Sequence, residues 1–504
     1  MLEMQSGEMT KTYHKSRKNK YNKTSAASQV LGSPELLGLV FEKLAKKRRY
    51  RSCLVNAARV NSLWFEVAIS ALWGGGHQTA SPAYALASVA RARRQLYASN
   101  LRYLNFGGNK DATVHALNDG LSFPRLKELT LNNYGPSGDG QRCPTSQYIQ
   151  RALESIKISN WNEHLDDAFL ANVVQSCPNL RTVDFDHTGK RLSAKSLSNF
   201  FSATQNLTDI SLNLDVNDED LPLINADMLL HISAFNGLEK LSIENRIVEA
   251  DAFDKVRSVN SRPFPALRQL RLCGRSSVIS SAACLVADLR ELTITLLEAE
   301  VSFISNLLAI PALVKLEMCA TADSLVKKED FLALRSFHNL EELRFGDQSS
   351  GSWSLGGEPL TESEFAHFCS GLPLLKIFSV GMEMEDYPPM SFFPVLAEHW
   401  KSLEFLDLFF TTHDLQQLAY MPAPMFPNLL WWEMISGYDR GVPQTLTAVQ
   451  VGRLIDNHAP RLKELDFCED QKKDHEIKQA WMDVRGFTFR DHNPLNFLMN
   501  HYRM

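Results

Sequence analysis

The sequence predicts an α/β architecture: a short three-helix module, then a solenoid with parallel strands on its concave face and helices or loops on its convex face. Three observations predict it. A six-residue apolar pattern returns 14 times after residue 100. Proline stands two residues ahead of that pattern in seven of the 14 copies. Before the repeats, residues 30–76 show apolar residues at helical spacing and close on three glycines.

Composition narrows the class. With 44 % hydrophobic and 22 % charged residues over 504 positions, the chain is expected to fold. No apolar run reaches 18 residues, so no transmembrane helix and no membrane partner is expected. Eight scattered cysteines without a CxxC pair argue against a disulfide scaffold or zinc module. A reducing, cytoplasmic or nuclear setting is the expectation. Residues 1–100 carry 16 Lys/Arg against 5 Asp/Glu, a net +11, which leaves −16 for the remainder of a chain whose total is −5. A basic head and an acidic body point to two functional parts. An acidic body argues against nucleic acid as its partner.

Residues 1–29 read as a disordered basic tail with Lys11, Lys15, Arg17, Lys18, Lys20 and Lys23 and no apolar periodicity. Residues 30–78 read as a helical module. Ser33 is placed to cap a helix, with Pro34 in its first position and Glu35 in its first turn. Leu37, Val40, Phe41 and Leu44 then form one apolar face. A second helix fits Cys53–Val60 and a third fits Ser62–Ser70, followed by Leu72-Trp73 and a Gly74-Gly75-Gly76 stop. So small a unit is expected to complete its core on a partner or on the repeats.

Residues 79–470 hold the repeats. Each is Leu, two variable residues, an apolar residue, one variable residue and another apolar residue, from Leu101/Leu104/Phe106 to Leu462/Leu465/Phe467. Successive anchors lie 22 to 35 residues apart. The step of two between the last apolar positions indicates a strand. The intervening residues then form a helix or loop on the other side. Pro124, Pro178, Pro265, Pro311, Pro373, Pro427 and Pro460 are expected to end the preceding element and lie outside the ladder. Residues 471–504 form a C-terminal cap or tail.

This pattern resembles the leucine-rich repeat family, whose unit is 20–29 residues. It departs from the family at the ninth position. That position keeps Asn109, but elsewhere it is Tyr134, Trp161, Thr188, Asp215, Arg246 and others. A side-chain ladder is therefore mostly missing, which puts regularity and curvature at issue.

The head resembles an F-box. The counterparts are Leu31, Pro34-Glu35-Leu36-Leu37, Val40-Phe41, Leu44, Leu54-Val55, the run Asn61 to Ala68 containing Trp64, and Leu72-Trp73. Two departures stand out. The stretch from Ala45 to Ser52 is long and basic where the family has a short acidic-proline turn, and Asn61-Ser62-Leu63 precedes the tryptophan. The resemblance implies a substrate-recognition subunit of an SCF-type ubiquitin ligase. It would bind an Skp-type adaptor, and through it a cullin, by Leu31, Pro34, Leu36, Leu37, Leu54, Val55, Trp64 and Trp73. The alternative is a leucine-rich scaffold or regulatory protein with no ligase role.

The repeats offer a surface for the target. Variable positions should line the concave sheet: Phe405, Asp407 and Phe409, then Trp431, Glu433 and Ile435, then Glu464, Asp466 and Cys468. Aromatics among acids suit a protein target with a basic, partly apolar segment. The alternative is that residues 470–504 pack on these aromatics. Asp184, Asp186 and Asp209 form a second acidic group. No phosphate loop, HExxH or GxSxG motif appears, so no enzyme activity, cofactor or metal is expected.

Overall fold

The structure is a computed structural model. It describes residues 26–74, 82–107, 111–132, 145–159, 165–188, 191–214, 223–244, 251–298, 300–320, 324–346, 353–356, 360–380, 382–383, 392–408, 415, 417–434, 446–467 and 472–486. Packing divides the chain into two compact units, residues 1–164 with 175–180, and residues 165–174 with 181–504.

Fourteen parallel strands, one per copy of the sequence pattern, follow one another in chain order, from Tyr103–Phe106 to Glu464–Phe467. We call each a rung. The first unit holds three rungs and the second holds eleven. Rungs pair position for position: Leu104 lies opposite Leu129, and Leu316 opposite Leu343. This register stacks like positions in rows along one face. Of the 42 anchor side chains, 39 are described, and none is more than 4 % exposed. The fold is a leucine-rich-repeat solenoid.

Two backbone devices give it regularity without the ninth-position ladder. At the mouth of a rung, one carbonyl accepts from two successive amides of the next unit. Arg102 O accepts from Lys127 N at 2.8 Å and Glu128 N at 3.0 Å, and Leu430 O accepts from Lys463 N and Glu464 N at 2.8 and 3.1 Å. The second device is a turn before each anchor. Leu126 N donates to Phe123 O, and Leu429 N to Phe426 O. Pro124 and Pro427 thereby sit second in a four-residue turn, where a φ fixed near −65° is already correct. Copies without proline make the same turn, as Leu289 N does with Val286 O.

The turn's first residue is a core position that the sequence pattern did not reveal. Phe123, Phe235, Phe264, Ile310, Phe337, Trp400 and Phe426 occupy it, all at most 5 % exposed. A second parallel ladder was also not anticipated. Glu300–Val301, Ser324–Lys327, Trp353–Gly356 and Met382–Glu383 pair in chain order. They follow four consecutive rungs, where helix or loop was expected.

The head contains α1 (Ala26–Gly32), α2 (Pro34–Ala45), α3 (Arg51–Ala57) and α4 (Ser62–Gly74). Ser33 caps α2 as expected, its Oγ accepting from Leu36 N at 3.3 Å. Its hydroxyl also donates to Glu35 at 2.7 Å, the main reason that carboxyl is held below its ordinary pKa. Three differences from the sequence reading appear: α1 is an additional helix, α3 ends three residues early, and α4 runs on through Leu72-Trp73. The core of the head is Leu37, Phe41, Leu54, Ala68 and Ala71, with Leu44, Trp64, Val67 and Leu72 packed on it.

The second unit closes on the helix Lys472–Arg485, which lies against the helix Ala448–His458. Gly452 makes that contact possible, because a Cβ there would stand 2.9 Å from Trp481 N. Arg485 fastens the end of the pair. It donates to Asp456 Oδ1 and to the carbonyls of Ala459 and Leu462.

Candidate functional site: two docking surfaces

The first surface is on the head. Its helices rotate about 100° per residue, so each apolar face inward leaves a defined face outward. Leu37, Phe41 and Leu44 of α2 point into the core. Leu36 and Val40 fall on the adjacent flank, about a quarter turn away, and are 44 % and 45 % exposed. The sequence reading put Val40 with the core face, and the structure puts it outside. Leu31, Leu39, Val55 and Val60 are also exposed, at 45 %, 60 %, 47 % and 58 %.

The eight residues assigned to the adaptor therefore separate. Leu31, Pro34, Leu36 and Val55 are exposed. Leu37 and Leu54 are fully buried and hold α2, α3 and α4 together. Trp64 is half-buried, edge-on to Phe41 at 5.6 Å, and its Nε1 donates to Leu31 O at 3.1 Å. Trp73 is half-buried against Tyr97, with ring centroids 5.0 Å apart. Leu39, Val40 and Val60 join the exposed set. Leu39 and Val40 lay inside a helix apolar almost all round, and that pattern alone does not say which residues a partner will cover.

The second surface is the outward face of the rungs in the second unit. A groove of about 1010 Å³ lies over rungs five to eleven. Its side chains form an ion-pair lattice. Lys315 Nζ is 2.8 Å from Glu342 and 3.4 Å from Glu317, Arg344 Nε is 2.7 Å from Glu342, and Arg271 is 3.2 Å from Glu244. The register makes the lattice, since Lys315 and Glu342 occupy one row and Glu317 and Arg344 the next.

Beyond it, Ile377, Phe405 and Trp431 stand in register on adjacent rungs. Phe405 and Trp431 stack at 6.0 Å, and the Arg344 guanidinium lies 5.0 Å from the Phe405 ring centre. Both aromatics lie on the outward face, but they are only 3 % and 2 % exposed. Cross-rung stacking uses their surface internally. Asp407, Glu433 and Asp466 fill the neighbouring row. Asp407 accepts from Ser379 Oγ at 2.7 Å. Burial, then the Glu433 charge, push its pKa up to about 6, against the pull of Ser379 and Arg344. Glu464 is 4 % exposed, and Lys478 Nζ of the last helix lies 3.8 Å from it and 2.9 Å from Asp466. The C-terminal helix thus takes up part of the acidic surface, whereas the alternative had the residues after 470 pack on the aromatics. Phe409, Ile435 and Cys468 lie outside the described residues. In the other acidic group, Asp186 accepts from Asn213 Nδ2 at 3.0 Å. Among the described residues no three His, Cys, Asp or Glu side chains gather to hold a metal, and no helix is long and apolar enough to cross a membrane.

No protein-family model matches the chain, and no curated protein matches it. Solved structures do. One is an internalin of Listeria monocytogenes, 12 % identical, with a TM-score of 0.35, covering 76 % of this chain and 87 % of that one. Another is the complex of Rad7 and Elc1 from yeast, 14 % identical, with a TM-score of 0.37, covering 81 % and 90 %. Fold and surfaces together define a leucine-rich-repeat solenoid whose helical head leaves aliphatic side chains uncovered.

Proposed function

We propose that the chain is the non-catalytic target-recruiting subunit of an SCF-type ubiquitin ligase. The head docks an Skp-type adaptor and the outward face of the rungs holds a protein target. One observation carries this reading. Leu31, Leu36, Leu39, Val40, Val55 and Val60 are all 44–60 % exposed on a head whose own core is already filled. Exposed aliphatics at that density mark a protein contact, and covering the exposed half of each would stabilise a complex by about 1 kcal/mol. The sequence resemblance of the head to an F-box supplies the adaptor's class. The chain's contribution to chemistry is then local concentration, which holds target lysines beside a charged ubiquitin-conjugating enzyme.

The test is co-purification of the full chain with a recombinant Skp-type adaptor. Leu36→Asp with Val55→Asp should abolish capture while the circular dichroism spectrum stays that of the wild type, because neither side chain lies in the core. Undiminished capture by that variant would remove the interface. A wild-type chain that never captures the adaptor would favour the scaffold reading.

A further inference from the structure

The outward stripe of α2 changes chemistry along its length. Leu36 and Val40 occupy its first half, Lys43 continues it at helical spacing, and Lys47 follows just beyond the helix end. Lys46 closes the helix, its backbone N–H on the carbonyls of Glu42 and Leu44. The turn Arg48–Tyr50 follows, with the Arg49 guanidinium 4.7 Å from the Tyr50 ring centre. Arg59 stands beside Val60 just after α3. Residues 43–60 contain seven Lys or Arg and no Asp or Glu.

Of these, Arg51 is held inside the head, its Nε donating to Ala45 O at 3.5 Å. Lys43, Lys46, Lys47, Arg49 and Arg59 are exposed, and no carboxylate among the described residues pairs with any of them. A helix C-terminus favours nearby cations, which accounts for Lys43 and Lys46. It does not account for Arg49 in the turn or Arg59 past the next helix. Clustered like charges repel one another in the free protein, so the cluster makes physical sense where something negative meets it. Half-exposed Val40, Val55 and Val60 are interleaved with the cations.

We propose that this mixed surface docks an acidic protein face, an aliphatic patch rimmed by Asp and Glu, and that the basic residues set how fast it associates. The inference rests on the adaptor reading above, with the adaptor as the acidic partner. Nucleic acid would engage the cations but leave the aliphatic side chains in water. An anionic membrane surface would be met by one long amphipathic helix, whereas here the apolar residues are shared among short helices. Rim charges act chiefly on the association rate and its salt dependence, not on dissociation.

The experiment measures association of the full chain with a recombinant Skp-type adaptor by stopped flow at 50 and 500 mM NaCl, for wild type and for Lys46→Glu with Lys47→Glu and Arg49→Glu. The wild-type association rate should fall about tenfold between the two salt concentrations. The triple variant should be about tenfold slower at 50 mM with dissociation changed less than threefold. Equal association rates for the two proteins, or a salt-independent wild-type rate, would overturn the inference and leave the adaptor reading intact. Absence of wild-type binding would overturn both. Tighter binding of wild type to a 20-base-pair DNA duplex or to phosphatidylserine vesicles than to the adaptor would overturn the inference as well.

Discussion

Leu36 and Leu37 are neighbours in sequence with opposite duties. Leu37 is fully buried among Phe41, Leu54 and Ala68, while Leu36 is 44 % exposed. Leu37→Ala should destabilise the first unit by about 2–5 kcal/mol, and Leu36→Ala by less than about 0.5 kcal/mol, as read by chemical denaturation. Equal effects would mean that the head is packed differently. Asp407 gives a pH-dependent prediction. Its folded pKa is raised from 3.8 to about 6. Between those values the folded state keeps a proton that the unfolded chain releases, so stability falls as pH rises through the window and stays lower above it. The penalty is about 3 kcal/mol. Asp407→Asn removes it and keeps a polar partner for Ser379. The variant's gain in melting temperature over wild type should be larger at pH 7.5 than at pH 4.5. The same gain at both would show that the carboxyl is not strained by its surroundings.

At the scale of elements, the last helix closes the second unit. Trp481 is fully buried and Gly452 lets the two helices approach to backbone contact. Gly452→Val overpacks that contact and should cost about 1–3 kcal/mol. Hydrogen exchange should quicken across 472–485 and leave rungs four to ten unchanged, because solenoid repeats couple to their neighbours. Uniform loosening of all rungs would contradict this. The rungs themselves were legible in the sequence, since Leu, one apolar and a second apolar residue at fixed offsets leave little choice of register. The turn ahead of them was half legible. Proline marked it in seven copies, but its first residue varies among Phe, Ala, Gln, Cys, Thr, Val, Ile, Leu and Trp and so formed no pattern. The extra ladder at Ser324–Lys327 and Trp353–Gly356 was not legible, because strands that short carry no periodicity to detect. Exposure of the candidate target site was not legible for a related reason. Alternation places Phe405 and Trp431 on the outward face, while their burial depends on which rows stack across rungs.

The whole molecule joins a solenoid stabilised by stacking to a head whose aliphatic side chains are left uncovered. The sequence showed both parts and the change of charge between them, but it could not divide the head's apolar residues into core and surface. Hydrogen exchange of the full chain, with and without a recombinant Skp-type adaptor, decides whether the head is a docking surface. Added protection is expected over residues 31–60, α2 and α3 foremost, with exchange in the rungs of the second unit unchanged. An unaltered head, or protection confined to the outward face of the rungs, would contradict it.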